Sequence, residues 1–356
     1  MIGLVGCTDG IVRVFRQAPG TGGSGAGGSG AGGNGVVDAA PEVSPPDTGP
    51  IICPTKLVGY ATLGGGTTGG GSPDAGMMVA TTLDQLRTYA NLVGPAVVRV
   101  SGTITIAAGE MPIEVESDKT LLPVKIGDGL LGNGFSINKK HNVIVRNLTI
   151  AKALSPWDGI TIQASTNVWI DHCDLSSDRD LPKTTYDGLI DVVHGSSNVT
   201  LSWNSFHDHF NPSLVGHTDT VNTEDPALAV TFHHNWFRNI QSGAPRARFG
   251  HVHLFSNLYD TIDSYSIASV MGATLLIEGN VFDHVATPIV TRLDNATIDG
   301  TVAESGLSNS YDPSDGPNMI TTTPNTWKPP YLYSDSVDSD SARAVVMTCA
   351  GVGKVP

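Results

Sequence analysis

The sequence predicts an all-β solenoid, a parallel β-helix, and three observations carry that prediction. A six-residue phrase recurs through the middle of the chain, every copy alternates apolar and polar side chains, and the composition is rich in Gly and poor in charge. The copies read Val143-Ile-Val-Arg-Asn-Leu148, Val168-Trp-Ile-Asp-His-Cys173, Val199-Thr-Leu-Ser-Trp-Asn204, Val230-Thr-Phe-His-His-Asn235, Val252-His-Leu-Phe-Ser-Asn257 and Leu275-Leu-Ile-Glu-Gly-Asn280. They are spaced by 25, 31, 31, 22 and 23 residues. Period-two alternation suits a half-buried strand. One short strand-turn unit every 20–30 residues is the mark of a solenoid, and strands bearing the same phrase in register stack in parallel.

The phrase also predicts what fills the coils. Asn204, Asn235, Asn257 and Asn280 fall one above another at a turn, where their amides can hydrogen-bond up the stack. Cys173 takes the same position one rung earlier, as a small buried filler. Two residues beyond most copies stands a large apolar residue, Leu175, Phe206, Phe237, Tyr259 or Phe282, for the core. The surplus residues of the 31-residue rungs must leave as loops, on the face where a site is built.

Composition narrows the function. Of 356 residues 42 are Gly and only 15% are charged, too few for the charged outer faces of a helical bundle. The net charge of −14, without a Lys/Arg cluster, excludes nucleic acid as partner. No apolar run is long enough for a membrane span. An anionic substrate would need a cation to bridge it to so acidic a chain.

Residues 1–50 read as a segment apart from the β-helix domain of 51–356. From Gly20 to Gly35 ten of sixteen residues are Gly, and a Pro-rich stretch runs on to Pro50. This is a flexible linker with an r.m.s. reach of roughly 30 Å. Leu4-Val5-Gly6-Cys7 before it resembles a bacterial lipobox, although only six residues precede Cys7 and no basic segment is among them. The resemblance implies a lipid anchor at Cys7 and a protein secreted or tethered at the cell surface. Cys53 and Cys349, near the two ends of the folded part, are either a disulfide or two unpaired thiols. Gly127-x-Gly129-x-x-Gly132 fits a dinucleotide fingerprint by letters only, because strands and not a helix follow it.

Five stretches, Trp157-Asp-Gly-Ile160, Val168-Trp-Ile-Asp-His172, Tyr186-Asp-Gly-Leu-Ile-Asp191, Val230-Thr-Phe-His-His-Asn235 and Ala244-Pro-Arg-Ala-Arg-Phe-Gly-His-Val-His253, together resemble the pectate lyase superfamily, polysaccharide lyase family 1. The resemblance runs from about Leu57 to Pro288. It implies a single-stranded right-handed parallel β-helix with a loop-built groove. It also implies Ca²⁺-assisted β-elimination of polygalacturonate or a related uronan, by a protein expected to be monomeric.

The residues agree with it in part. Asp187 and Asp191 are four apart, so on one strand both face the same way. Asp158 lies about one rung earlier. Three carboxylates on one face suit Ca²⁺, with water and substrate carboxylates completing the shell. The resemblance makes Asp158, Asp187 and Asp191 the calcium ligands.

The cationic side departs from the family. Its pattern Arg-x-Pro-x-x-Arg, aligned on Pro245, puts Gly243 where the base arginine stands, while Arg248 keeps the substrate-binding position. Asn211 replaces a substrate-binding lysine. Arg246 is a candidate replacement in catalysis beside Arg248, and regular strand geometry is expected to turn it away from the face bearing Arg248. A histidine between His207 and His253 is another candidate base. Those histidines match no closed zinc spacing, and Asp171-His172 reads as a structural pair. A lyase leads this reading. The alternatives are a non-catalytic uronan- or pectin-binding homologue, favoured by Gly243 and Asn211, and a hydrolase using paired carboxylates. The Ser/Asp-rich C-terminal stretches are expected as loops over the helix, with the segment up to Cys349 closing its end.

Overall fold

Val168 pairs in parallel with Val143 on one side and Val199 on the other, and the same register continues through Val230, Val252 and Leu275. The computed structural model describes residues 51–71, 77–304, 308–333 and 339–355. Cys7, the Gly-rich linker and residues 334–338 of the Ser/Asp run lie outside them. Within the described residues the chain winds through three parallel sheets, here called A, B and C, of ten, nine and eight strands. Each coil contributes one strand to A, then B, then C.

The alternation in the phrase becomes the inside and outside of sheet A. Val143, Val145, Val168, Ile170, Val199, Leu201, Val230, Phe232, Val252 and Leu254 are all fully buried in one core. The fifth residue of every copy turns the corner into sheet B with positive φ: Asn147 (62°), His172 (50°), Trp203 (56°), His234 (54°), Ser256 (53°) and Gly279 (63°). This conformation costs a non-Gly residue roughly 1–2 kcal/mol. Interactions along the stack offset it. His172, Trp203 and His234 stack ring on ring, at 5.8 and 4.1 Å between centroids.

The asparagine column forms as expected. Asn204 Nδ2 and N both donate to Asn235 Oδ1 at 3.0 Å, Asn235 does the same to Asn257, and Asn257 to Asn280 at 2.9 Å. Asn309 extends it by one rung beyond the repeat. Cys173 N donates to Asn204 Oδ1, and the thiol is free and buried. Beside this column Phe206, Phe237, Tyr259, Phe282 and Tyr311 stack at 4.7, 5.2, 4.9 and 5.1 Å. Each such pair contributes about 0.5–1.5 kcal/mol beyond the area it buries.

Helix α1 (Leu83–Ala90), capped by Thr82, lays the buried Leu86 and Ala90 over the first coils. The C-terminal segment does not close the far end as expected. Helix α2 (Ser339–Cys349) lies along the side, where Ala342, Val346 and the following Ala350 pack on Leu258 and Val281. Its apolar face complements the first residues of sheet B strands, a lateral groove rather than the solenoid's end. Beyond it Gly353 N reaches back to Asn147 Oδ1. Cys53 and Cys349 are each disulfide-bonded, so neither is an unpaired thiol. Buried Asp171 takes hydrogen bonds from Arg146, Ser202 and His172, consistent with a structural pair. Gly129 lies within a strand, with no helix after it.

Candidate active site

The outer face of sheet C carries the candidate residues in cross-strand rows. Asp191 on Ile190–Val193 faces Thr161 on the preceding strand. Leu214 comes next, and Leu214 pairs with Arg246 on the strand Arg246–Arg248. Neighbouring rows are about 4.8 Å apart along the stack, so Asp191 and Arg246 are separated by about two strands.

Asp158, just before its strand, accepts from Thr161 Oγ1 at 2.7 Å and from Gly188 N at 2.9 Å. Buried Asp191 accepts from Leu214 N at 2.9 Å. A Cβ on Gly188 would lie 2.8 Å from Asp158 Oδ1 and 2.7 Å from Asp191 Oδ1. The two carboxylates therefore converge over a backbone that only glycine leaves room for. Burial pushes the Asp158 carboxyl up to about 6, with the charge of Asp187 adding to the effect and the bonds from Thr161 and Gly188 opposing it. Asp191 is raised well above the usual carboxylate range, first by burial and then by Asp158.

Asp187 does not share a strand face with Asp191. It is exposed on the turn before Ile190–Val193, so strand alternation does not apply to it. Among the described residues no three His, Cys, Asp or Glu side chains are gathered closely enough to enclose a metal. The donor set is two converged carboxylates with a third on the adjoining turn. These hard oxygens suit Ca²⁺, which accepts water and ligand oxygens in the remainder of its shell.

Arg246 is not turned away from Arg248. The strand is regular, and residues two apart share a face, while Ala247 between them is in the core. Both guanidinium groups hold Asp219. Arg248 Nε donates to its Oδ1 at 2.7 Å, and Arg246 Nη2 donates to Oδ1 at 2.8 Å and Oδ2 at 2.9 Å. Arg248 is buried and donates a further bond to Gly216 O at 2.9 Å, and Arg246 also reaches Asn295. The two arginines hold the Asp219 carboxyl below its usual range despite partial burial.

Gly243 has φ 75°, and a Cβ there would meet Arg246 Cβ and Asn211 Nδ2, each at 3.6 Å. That is ordinary contact distance, so the position is open. Asn211 turns its amide onto Ser242 Oγ at 2.8 Å. Gly243 and Asn211 are thus neighbours.

One residue of this region is not legible from the motifs, and one of the histidines between His207 and His253 takes a definite place. Asp219 has no motif, and only its separation of 27 and 29 residues from the arginines, about one rung, points to it. Buried His209 lies behind the site. Its Nδ1 is 2.6 Å from Ser177 Oγ, and its ring bonds the main chain of both Asp187 and Asn211. Burial lowers it to about 4, so it is neutral at pH 7. It ties the acidic turn to the turn bearing Asn211.

The pectate lyase family profile matches residues 49–355. The chain belongs to the pectate lyase family. Pectate lyase B of Colletotrichum gloeosporioides is 40% identical over 259 residues, covering 72% of this chain and 75% of the relative. The pectate trisaccharide-lyase of Bacillus licheniformis is 36% identical over 287 residues, covering 78% and 81%. Among solved structures, a pectate lyase from Bacillus sp. N165, in complex with trigalacturonate, superposes with a TM-score of 0.67 at 29% identity, covering 84% of this chain and 99% of that one. The three-sheet solenoid is the right-handed parallel β-helix of these pectate lyases.

Proposed function

We propose that this pectate lyase family member cleaves polygalacturonate, or a closely related uronan, by Ca²⁺-dependent β-elimination. The observation that carries the reading is the convergence of Asp158 and Asp191 over Gly188, on the same sheet face as Arg248. Asp158, Asp191 and Asp187 would hold the ion. When bound, Ca²⁺ would neutralise the substrate carboxylate and make the neighbouring C5–H more acidic.

The chain's own residues bind and orient. Arg248, fixed by Asp219 and Gly216 O, presents a guanidinium suited to a uronate carboxylate. Elimination passes the C5 proton to solvent water, forms the C4=C5 double bond and breaks the C4–O4 bond, and O4 takes up a proton from solvent as it leaves. Arg246, next to the open position at Gly243, is the cation available to stabilise the developing negative charge. Its Nη2 is engaged by both oxygens of Asp219, so it acts here as an electrostatic group.

Gly243 and Asn211 support a second reading, a binding protein that has lost the base. Loss of a positioned base typically costs about 10²–10⁴ in rate. In either reading the protein is secreted or surface-tethered and works as a monomer, with any anchor at Cys7. Among the described residues no helix is long and apolar enough to cross a membrane.

The test is incubation of the full chain with polygalacturonate, with Ca²⁺ or chelator, following the ultraviolet absorbance of the unsaturated uronate. A calcium-dependent rise supports the lyase. A flat trace that rises only in a Gly243→Arg/Asn211→Lys double variant identifies the binding protein.

A further inference from the structure

The outer face of sheet C changes character just past the arginines. On the earlier coils Thr161, Gln163, Leu214 and Arg246 are half-buried on this face. Arg246 pairs with Ala268, Arg248 with Val270, and Ala268 with Val290. These partners alternate with the core residues Ile267 and Ile289 and so point outward. Yet Ala268 and Val270 are fully buried, and Val290 is 4% exposed. The floor that carries the candidate site is therefore covered on the two coils past Arg248.

Over Val270 the cover is the connection 291–300, which runs from Ile289–Val290 in sheet C to Thr301–Ala303 in sheet A. The corresponding connections at 194–196, 249–250 and 271–273 need only two or three residues, so this one has length to spare. It turns back along the stack. Asp299 bridges to Val270, and Ile298 O accepts from Met271 N at 2.6 Å. Leu293 and Ala296 pack on Phe249, Val270 and Met271. Asn295 Oδ1 accepts from Arg246 Nη2 at 3.2 Å. Arg246 stands two coils before the strand Ile289–Val290, a retreat of about 10 Å. The neck of the loop is closed. Arg292 makes three bonds of 2.8–3.1 Å to Asp299, and Gly300 N donates to Thr291 O at 3.2 Å.

We propose that the loop 291–300 is an end stop of the substrate groove, so that the site takes a uronan by its chain end and releases short products. This rests on the reading of the groove as a uronan site. Coils about 4.8 Å apart match one sugar unit of an extended uronan, which leaves room past Arg248 for about one unit. A chain continuing in that direction would run into Leu293, Ala296 and the main chain at Ile298 and Asp299. The charge of the loop acts the same way. Its single cation, Arg292, is paired with Asp299, and Asp294 is exposed. A further uronate carboxylate would therefore meet repulsion there and no free guanidinium. Asn295 also ties the loop to Arg246, so the stop and the cation beside Gly243 keep a fixed spacing.

The full chain is incubated with polygalacturonate and Ca²⁺, and product lengths are read by mass spectrometry beside viscosity and absorbance. An end stop gives short products from the outset and a viscosity that falls slowly for each bond cut. Replacing 293–298 by Gly-Gly keeps the Arg292–Asp299 neck. That variant should release longer products early and thin the solution faster at equal absorbance. A random ladder of long early products from the wild type overturns the proposal, whatever the variant does. A folded variant with the wild-type product pattern overturns it as well. If no unsaturated product forms, the lyase reading falls and the stop is read by binding. Calorimetry then uses oligogalacturonates with a bulky tag at the reducing or at the non-reducing end. The wild type should lose about tenfold or more in affinity for one tagged form and keep its affinity for the other. Equal affinity for both tagged forms, or none for the untagged oligomer, overturns the stop.

Discussion

Arg248 Nε and Asp219 Oδ1 are joined at 2.7 Å, and the same oxygen takes a bond from Arg246. One acid thus neutralises half of the positive charge on this face and fixes where the rest points. Replacing Asp219 by Asn removes the charge facing the buried Arg248 guanidinium and leaves Gly216 O as its other partner. Urea unfolding should show a loss of about 1–3 kcal/mol. A variant as stable as the wild type would mean that the arginines re-pair elsewhere.

Gly243 is the position at which the proposed lack of a base can be tested. A side chain there meets no clash, and the positive φ costs roughly 1–2 kcal/mol. Gly243→Arg should therefore lower stability slightly and raise kcat on polygalacturonate by about 10²–10⁴. Gly243→Ala is expected to show the stability loss without the gain, which separates backbone strain from chemistry.

Asp191 and Asp158 are expected to make opposite contributions to stability with and without Ca²⁺. Their folded carboxyls are raised, so in chelator they stabilise the fold at low pH, and that stability is lost as pH rises towards about 6 and beyond. At neutral pH Asp191→Asn should melt higher than the wild type in chelator. Ca²⁺ is expected to shift the wild type upward, and the same variant should lose that shift. Scanning calorimetry at pH 7 reads both.

Buried histidines set the acid limit. Burial lowers His233 to about 3 and His234 well below its ordinary value, so both are neutral in the fold. Their stability contribution is complete above the unfolded value of about 6.5. It is lost as pH falls through the folded values. His233 stacks on Phe255 at 4.9 Å, so His233→Phe should keep the packing and flatten the decline of melting temperature between pH 6.5 and 4.

The asparagine column can be tested at its centre. Asn235 donates to Leu201 O and Asn257 Oδ1, and its own Oδ1 serves Asn204. Asn235→Leu strands buried partners that cost about 1–3 kcal/mol apiece. Denaturant midpoints should fall accordingly, with the circular dichroism of the native state unchanged.

The fold was legible because the phrase fixes side-chain direction, turn and stacking neighbour at once, from Val143 to Asn280. Helix α2 was not, since its few apolar positions, Ala342, Val346 and Ala350, gain meaning only from the groove beside Leu258 and Val281. In the site, Asp158, Asp191 and Arg248 were readable from motifs. Asp219 was not, and His209 was legible only as one of the histidines between His207 and His253. Each acts through a residue one coil away, and loop lengths hide that adjacency until the register is known. Arg246 was misjudged because alternation was applied without counting the intervening Ala247.

The coils also bear on how such a protein changes over generations. Asp158, Asp191, Asn211 and Gly243 come from different turns of the solenoid, each held by its own strand pairings. A substitution at one corner leaves the neighbouring turns to keep their spacing. Descent can rewrite the chemistry one coil at a time, while the architecture that lines up the remaining parts persists.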